Sequence, residues 1–480
     1  MPSLFRRIPW PLLAASLLAG CAGFLPAVGP DHTPPALVLP AGWTQPPDVA
    51  GKADLARWWQ QFDDPQLDSL IDAALADSLD LRQAEARLRQ ARAARAQAVS
   101  GLFPSLTASG GASRSHSARA ISAVPPRTTW DAGFDAGWEI DLFGATRRGV
   151  EAASAELDAS AASLANVRVS LAAEVAQNYV ELRLHQRRLA IARDNLASQT
   201  ETLQITDWRN QAGLASSTDV AQARTSREQT RATIPDLEVS LAAAANRLAV
   251  LLGQPPGSLN HALAGAGELP PLPARMAAGI PADVLRQRPD LIVAERSLAA
   301  ETARVGQKLA QRFPSLNLGA SFGWQAYSLG GLGAAGSLAR SVSGSLAGTL
   351  FDAGRLKSAV DIQTAVQEEA LAAYEAAVLG ALEEVENALT AYASGRERVD
   401  ARRAAAASAR EAASLSRKLY QAGLTDFQKV LETERTRLTA EDNLALAEAA
   451  MRTNLIKLYK ALGGGWQVAD AGAPEGRVAP

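Results

Sequence analysis

One internal duplication constrains the fold of this chain more than any other feature. The segment Phe103–Leu106 recurs as Phe313–Leu316, an offset of 313 − 103 = 210 residues. The tripeptide Ala-Gly-Leu at Ala212–Leu214 recurs at Ala422–Leu424 with the same offset. Matches that keep one register over most of a chain indicate two copies of one folding unit. The period is too long for a solenoid of small repeats.

The duplication also sets the expected organisation of the 480 residues. We predict a signal peptide at 1–20, an N-terminal linker at 21–62, a first repeat at 63–253, a Pro/Gly-rich inter-repeat linker at 254–272, a second repeat at 273–463 and a C-terminal tail at 464–480. Each repeat is expected to contain a helix (64–101 and 281–312), a β-hairpin (103–142 and 313–351) and a long helical hairpin (144–252 and 354–462).

Within each predicted β-hairpin, apolar and polar residues alternate. From Trp130 to Leu142 every even position is apolar or small, while the odd positions include Asp131, Asp135 and Glu139. The segment from 316 to 326 alternates in the same way, and the segments 106–113 and 341–350 do so more weakly. Strands of about ten residues with one apolar and one polar face are typical of a transmembrane β-barrel. A sandwich strand in a soluble domain shows the same alternation, so this alternative stays open.

Two further features favour the barrel. Tryptophans stand at the strand ends, where aromatic girdles occur, and the polar face carries carboxylates. We therefore expect the aromatic residues to face lipid, namely Trp130, Phe134, Trp138, Phe322 and Trp324, and the acids to face the lumen, namely Asp131, Asp135 and Glu139. Four strands per chain cannot close a membrane barrel, which needs at least about eight, so the barrel must be shared between chains.

Each hairpin is followed by a segment that reads as one very long helix. No proline occurs from 144 to 211 or from 354 to 421. Either segment would extend about 100 Å at 1.5 Å per residue. Each ends at Ala-Gly-Leu, where glycine suits a helix end, and a return helix follows at 214–252 and 424–462. Pro235 is expected to kink the first return helix.

The N-terminus has the pattern of a secretory signal. Arg6 and Arg7 precede an apolar segment, Ile8–Leu18, that is too short to span a bilayer. The segment ends in Leu-Ala-Gly-Cys, which resembles a bacterial lipobox with Cys21 as the acylated residue. The alternative is an ordinary signal peptide that happens to contain the single cysteine of the chain. Ala22 rather than aspartate follows Cys21, which favours the outer membrane.

Composition excludes several classes of function. A net charge of −2 lacks the basic excess of a nucleic-acid binder. One cysteine excludes an intrachain disulfide and a CxxC site. The four histidines have no partner at ligand spacing and are expected to be exposed or in loops. The GxGxxG match at 331–336 lies between two strands, so we interpret it as a hairpin tip. No catalytic residue, metal site or cofactor is expected.

Taken together, these features resemble the outer-membrane factors of tripartite efflux systems, the TolC-like channels, and within them the NodT-type lipoproteins. The matching motifs, spread over the mature chain, are Val28–Asp31, Trp58–Phe62, Trp138–Gly144, Leu285–Asp290, Glu383–Ala388 and Leu458–Trp466. The resemblance implies an α+β membrane protein that forms a homotrimer. It further implies a shared twelve-stranded barrel, a twelve-helix periplasmic α-barrel and an equatorial region built from the inter-repeat linker and the termini.

The resemblance also implies a function and partners. The chain would be a passive exit duct in the outer membrane, anchored in outer-membrane lipid and reaching into the periplasm. Its partners would be a periplasmic adaptor protein and an inner-membrane pump, usually of the resistance-nodulation-division (RND) type. Two alternatives stay open: the duct of a type I protein or peptide export system, and a trimeric coiled-coil surface protein. The sequence does not identify the substrates, because a passive duct need not recognise them.

The turns after the long helices are the candidate sites for gating and docking. By resemblance, Glu432 falls at an acidic position that narrows the closed pore, whereas Lys429 replaces an acid found in some relatives. The alternative is a solvated ion pair between Lys429 and Glu432 at i,i+3. The two tips, with Gly213 and Leu214 in the first and Gly423 and Leu424 in the second, are where an adaptor from the inner membrane would first meet the protein.

Overall fold

The computed structural model describes residues 26–36, 42–44, 55–116, 125–265, 267–273 and 287–466. Cys21 and the predicted signal peptide lie outside the described residues, as do residues 467–480 of the predicted tail. The described chain contains one four-stranded antiparallel sheet, very long helices and a short 3-10 helix at Leu55–Phe62. The α+β fold class with four strands is therefore confirmed.

The elements follow the predicted order in both repeats. The strands are β1 (Ser105–Ser115), β2 (Arg127–Ile140), β3 (Ser315–Ala326) and β4 (Leu338–Ala347). The helices are α1 (Pro65–Asp77), α2 (Leu79–Ser100), α3 (Ala145–Gln211), α4 (Ser217–Leu251), α5 (Pro289–Ala310), α6 (Arg355–Gln421) and α7 (Phe427–Ala461). Helices α3 and α6 each have 67 residues, and α4 continues through Pro235. No helix in the described ranges is both long and apolar enough to cross a bilayer.

The single helix expected at 64–101 is wrong, because the chain forms two helices there. Ser78 separates α1 from α2 with an extended backbone (ψ 136°). Its amide closes the last turn of α1 on the carbonyl of Ala74 (3.0 Å), and its hydroxyl accepts a bond from the amide of Asp80 (3.3 Å). A serine that satisfies the first amides of the next helix competes with continuation of the helix. Strand β4 also begins three residues earlier than the predicted alternation at 341–350.

The sheet has the strand order β1-β2-β3-β4, and the duplication is preserved in its hydrogen-bond register. Ser105 pairs with Gly137 in the first hairpin, and Ser315 pairs with Ala347 in the second. Adding 210 to both members of the first pair gives the second pair. The two hairpins are therefore copies with the same register, which means that each position in one has a defined counterpart in the other.

The chain divides into two compact units. One contains the described residues of 1–36, 87–160 and 293–375, including the whole sheet. In this unit the guanidinium of Arg148 donates to the carbonyls of Val28 (3.2 Å) and Gly29 (3.1 Å) and to the carboxylate of Asp31 (2.8 Å). Gly29 has φ +101°, and a Cβ there would lie only 2.4 Å from the Cα of Gly306. Arg148 and the close approach of Gly29 to Gly306 thus help to fix the N-terminal segment against α3 and α5.

The other unit contains the described residues of 37–86, 161–292 and 376–480. Its largest buried side chains cluster around Trp58, which stacks on Tyr459 with ring centroids 5.4 Å apart. Trp59 and Phe62 meet Trp58 edge to face. A buried Arg288 donates to the carbonyl of Ala461 (2.7 Å) near the end of α7. Aromatic residues of the 3-10 helix therefore hold the end of α7 in place.

Candidate functional site

The two tips have the same backbone geometry. Gly213 and Gly423 have φ values of +74° and +75°, a conformation that costs other residues about 1–2 kcal/mol. The next residue in each tip donates its amide to the carbonyl five positions earlier, at 2.7 Å for Leu214 and 2.8 Å for Leu424. This is the Schellman pattern of a helix end. The glycine is therefore required by the turn itself.

The leucine that follows each glycine contributes little to the turn through its side chain. Leu214 and Leu424 remain 69% and 74% exposed. The return helices then begin with side-chain caps: Ser216 and Asp219 form a capping box before α4, and Asp426 accepts a bond from the amide of Lys429 (2.9 Å) at the start of α7. Each tip thus presents an apolar side chain on a rigid, capped reversal.

The two predicted gate residues, Lys429 and Glu432, form an ion pair, which is the alternative to a role in gating. Lys429 Nζ lies 2.9 Å from Glu432 Oε2 in the first turns of α7. Both side chains are more than half exposed, so this pair alone contributes little stability. The gate role of Lys429 and Glu432 stays a prediction.

A buried acid that the sequence reasoning missed lies directly behind that pair. Glu434 is only 3% exposed and accepts a hydrogen bond from the Thr202 hydroxyl of α3 at 2.8 Å. The guanidinium of Arg417, on α6, approaches the same carboxylate at 3.5 Å. Burial raises the pKa of Glu434, although the Thr202 bond, Arg417 and Arg437 counteract this effect. Three helices therefore converge on one carboxylate near the tips.

A sequence signal for Glu434 existed. Phe427, Val430 and Leu431 are buried, and Glu434 follows them at the next position of the same helical face. A glutamate on the apolar face of a helix is expected to have buried partners. The charged neighbour Glu432 lies on the exposed face of the same helix.

An aromatic contact joins the ends of α3 and α6. The Arg209 guanidinium lies over the Tyr420 ring at 4.6 Å and donates to the Tyr420 carbonyl at 2.7 Å. Tyr420 in turn meets Phe427 edge to face at 6.0 Å. Partly buried Leu203 and Ile205 pack against this cluster. The two tips are therefore held together within one chain.

The strand faces agree with the predicted alternation. Asp131, Asp135 and Glu139 share one face of β2, and the Ser109 hydroxyl of β1 donates to the Asp135 carboxylate at 3.1 Å. On the opposite face Phe134 lies across from Phe322. Which face lines the lumen is a property of the assembled protein, so the lumen-facing acids remain a prediction.

Strand β4 carries one residue that breaks the pattern. Arg340 pairs with Phe322, so it belongs to the apolar face together with its neighbours Leu338 and Val342. The weakly alternating segment predicted at 341–350 does not include Arg340. Arg340 lies outside that segment because β4 begins three residues before it.

The expectation of exposed or loop histidines is wrong for His185, whereas His32 lies in a loop as expected. His185 lies within α3, with its ring 3.7 Å from the Glu181 carboxylate. His32 Nε2 lies 2.9 Å from Glu295 Oε1 and is largely buried. Each histidine thus has one carboxylate partner and no second ligand. Within the described ranges no group of three or more His, Cys, Asp or Glu could hold a metal ion.

Comparison with known proteins identifies the class of molecule to which this architecture belongs. The model of the outer membrane efflux protein family matches residues 70–254 and 280–464, one match for each repeat. The chain belongs to the outer membrane efflux protein family. The nodulation protein T of Rhizobium leguminosarum bv. trifolii is 33% identical over 98% of this chain and 99% of its own length.

Two further proteins that are similar to this chain support the family assignment. The pyoverdine export outer membrane protein OpmQ of Pseudomonas putida is 34% identical over 91% of this chain and 94% of its own length. The solved outer-membrane channel OprN superposes with a TM-score of 0.86 at 36% identity, covering 92% of this chain and 99% of that one. The predicted family and its channel function are confirmed. The protein is a passive channel of the outer membrane, not an enzyme, of a family whose trimers work with adaptors and inner-membrane pumps.

Proposed function

We propose that this outer-membrane channel is lipid-anchored at Cys21 and serves an RND-type inner-membrane pump that exports small molecules. An adaptor would dock on its two tips, and the pore would be narrowed near Lys429 and Glu432. The observation that carries the proposal is the pair of matching tips, each with an exposed leucine after a glycine of positive φ. The motif resemblance supports the RND pump, and no observed feature favours a type I export duct.

The tips are suited to docking because they are rigid and apolar at the same time. The Schellman turns and helix caps fix the backbone, so little conformational entropy is lost when a partner binds. Leu214 and Leu424 offer apolar area that the turn does not use. Burying a leucine side chain contributes about 1.5–3 kcal/mol, and each chain provides two such contacts.

The gate proposal rests on the contrast between two faces of α7. Lys429 and Glu432 are exposed, whereas Glu434 is fixed by Thr202 and Arg417. A movement of α7 that carries the exposed pair away from the pore axis must change the contacts of Glu434. Adaptor docking at the neighbouring tip, Leu424, would supply the free energy for that change.

The acids of β2 support a passive, cation-tolerant lumen. Asp131, Asp135 and Glu139 follow one another at every fourth residue on the polar face. In a trimer each would occur three times around the same lumen. Rings of carboxylates favour cations in a pore, so we expect a weak cation preference in planar bilayers.

The lipid anchor is supported by the attachment of the N-terminal segment. The amide of Val28 donates to the carbonyl of Phe143 at 3.1 Å, three residues after β2 ends. Cys21 precedes Val28 by seven residues, which span at most about 25 Å when fully extended. A lipid on Cys21 can therefore reach the membrane next to the end of β2. Intact-mass analysis of the mature protein should give an acylated Cys21 as its first residue, and an unmodified N-terminus would exclude the anchor.

The experiment that tests the docking proposal is the double variant Leu214→Ser and Leu424→Ser, produced in a host that lacks its own channel. Both turns keep their glycines and backbone hydrogen bonds, so we expect normal trimer levels in the outer membrane. Export of a pump substrate and cross-linking to the adaptor should both be lost. The matched control is Leu329→Ser, which changes an equally exposed leucine in the β3–β4 connection. Unchanged export and cross-linking in the double variant would exclude the tips as the docking site.

A further inference from the structure

The described sheet unit contains one complete aromatic contact between its two repeats. The rings of Phe143 and Phe313 stack with centroids 4.5 Å apart and an interplanar angle of 16°. Phe143 follows the end of β2, and Phe313 precedes the start of β3. The contact therefore closes the seam between the first and second hairpins, next to the point where β2 and β3 pair.

The two outer strands of the same sheet are also flanked by phenylalanine residues. In the described chain no aromatic ring stacks on either of them. Phe103 precedes β1 as Phe313 precedes β3, and it is 65% exposed. Phe351 follows the end of β4 by four residues, whereas Phe143 follows the end of β2 by three, and Phe351 is 89% exposed. Strands β1 and β4 form the two outer edges of the sheet, so β2 and β3 separate them.

The register predicts where these two rings meet when a second copy is added. Ile140 of β2 lies opposite Leu316 of β3. Moving both positions by the repeat offset (140 + 210 = 350 and 316 − 210 = 106) sets Leu350 opposite Leu106 of another copy. Phe351 follows Leu350 directly, and Phe103 precedes Leu106 by three residues. In the shared register Phe351 takes the place of Asp141 (141 + 210 = 351), whereas the place of Phe143 is taken by Ala353. Phe351 therefore lies diagonally from Phe103, two residues from the position directly opposite it, a separation that aromatic side chains can bridge.

We propose that Phe351 of one copy packs diagonally against Phe103 of the next copy, forming the aromatic contact that closes each seam between subunits. The inference rests on the proposed function, because it assumes the assembled channel. A second copy of this chain is the partner that fits the two sheet edges. Strand β1 of that copy would pair with the backbone groups of β4 and bury the rings of Phe103 and Phe351. The contact between Phe143 and Phe313 shows that an aromatic pair closes the corresponding seam within one chain.

Paired cysteines distinguish the seam between chains from the seam within a chain. In the double variant Phe103→Cys and Phe351→Cys, a short bifunctional thiol reagent should link the purified channel into covalent dimers and trimers on a denaturing gel. In the matched control Phe143→Cys and Phe313→Cys, the same reagent should link residues of one chain and leave the monomer mass unchanged. The wild-type channel, with Cys21 alone, measures background linkage.

The outcomes separate the seam contact from the channel assembly itself. If native mass spectrometry shows intact trimers of the first variant but no link forms between chains, the contact is excluded and the channel stands. If the wild-type protein forms no trimer, the proposed assembly fails, and the seam contact fails with it. Should the double variant not assemble, two co-produced chains that carry Phe103→Cys and Phe351→Cys separately provide the test, with a heterodimeric link expected. Absence of that link in assembled mixed trimers would equally exclude the contact.

Discussion

The carboxylate of Glu434 accepts a hydrogen bond from the Thr202 hydroxyl at 2.8 Å while almost fully withdrawn from solvent. Two residues earlier on the same helix, Glu432 is exposed and pairs with Lys429. One helix thus presents an acid to solvent and another acid to the interior within a single turn. This arrangement separates a residue that can face a pore from a residue that holds α7 against α3.

The first prediction compares these two acids directly. Glu434→Ala leaves Arg417 without its buried counter-charge and the Thr202 hydroxyl without its acceptor, so we expect a loss of about 2–4 kcal/mol. Glu432→Ala removes only a solvated ion pair and should change stability by less than about 0.5 kcal/mol. Thermal unfolding of the purified channels and protease cleavage near the tips measure both effects. Equal behaviour of the two variants would show that Glu434 does not hold the helices together.

The second prediction concerns pH. Because burial raises the pKa of Glu434, the folded protein binds this proton more tightly than the unfolded chain does. The contribution of Glu434 to stability is therefore largest at low pH and is lost as the pH rises through the raised pKa. Glu434→Gln cannot titrate and keeps an oxygen that accepts from Thr202. The difference in stability between wild type and variant should shift in favour of the variant as the pH rises above the ordinary glutamate range. A difference that does not change with pH would contradict the raised pKa.

The bounds of the long helices could be predicted from the sequence because glycine residues mark their ends. The long helices were expected from 144 to 211 and from 354 to 421, and the structure begins them at Ala145 and Arg355. Gly144 and Gly354 precede these helices with φ values of +86° and +88°. Only a residue without a Cβ adopts such values readily, so the start of each helix is visible in the sequence.

The remaining features depend on contacts that no local pattern reports. Ser78 interrupts a segment rich in helix formers, and only its hydrogen bond to Asp80 reveals why. Glu434 looks like any other glutamate of α7 until the face of the helix is known. Arg340 joins the apolar face of β4 through a register that the glycine- and serine-rich sequence specifies weakly. In each case a tertiary contact, not a propensity, decides the outcome.

The third prediction tests which face of β2 meets lipid. Phe134 lies near the middle of the strand on the apolar face, so Phe134→Arg should cost about 2–4 kcal/mol and reduce the amount of assembled channel. Asp135→Asn changes the adjacent residue on the opposite face and keeps an acceptor for Ser109, so assembly should be unaffected. Quantification of folded trimer in outer-membrane fractions compares the two. Similar assembly of both variants would mean that the face of Phe134 is not in lipid.

The last prediction tests the attachment of the N-terminal segment, on which the reach of the proposed lipid anchor depends. Gly29 has φ +101°, and an added Cβ would lie 2.4 Å from the Cα of Gly306, in the backbone of α5. Gly29→Ala therefore combines an unfavourable backbone conformation with a steric clash, and we expect a cost of about 2–4 kcal/mol. Gly42→Ala is the matched control, because a Cβ at Gly42 meets nothing within 4 Å and its backbone needs no positive φ. Limited proteolysis measures the result: the N-terminal segment should be cleaved faster in Gly29→Ala, while Gly42→Ala should match the wild type. If both variants resisted protease like the wild type, the contact between Gly29 and Gly306 would not be what fixes this segment, and the hydrogen bonds of Arg148, Val28 and His32 would have to hold it.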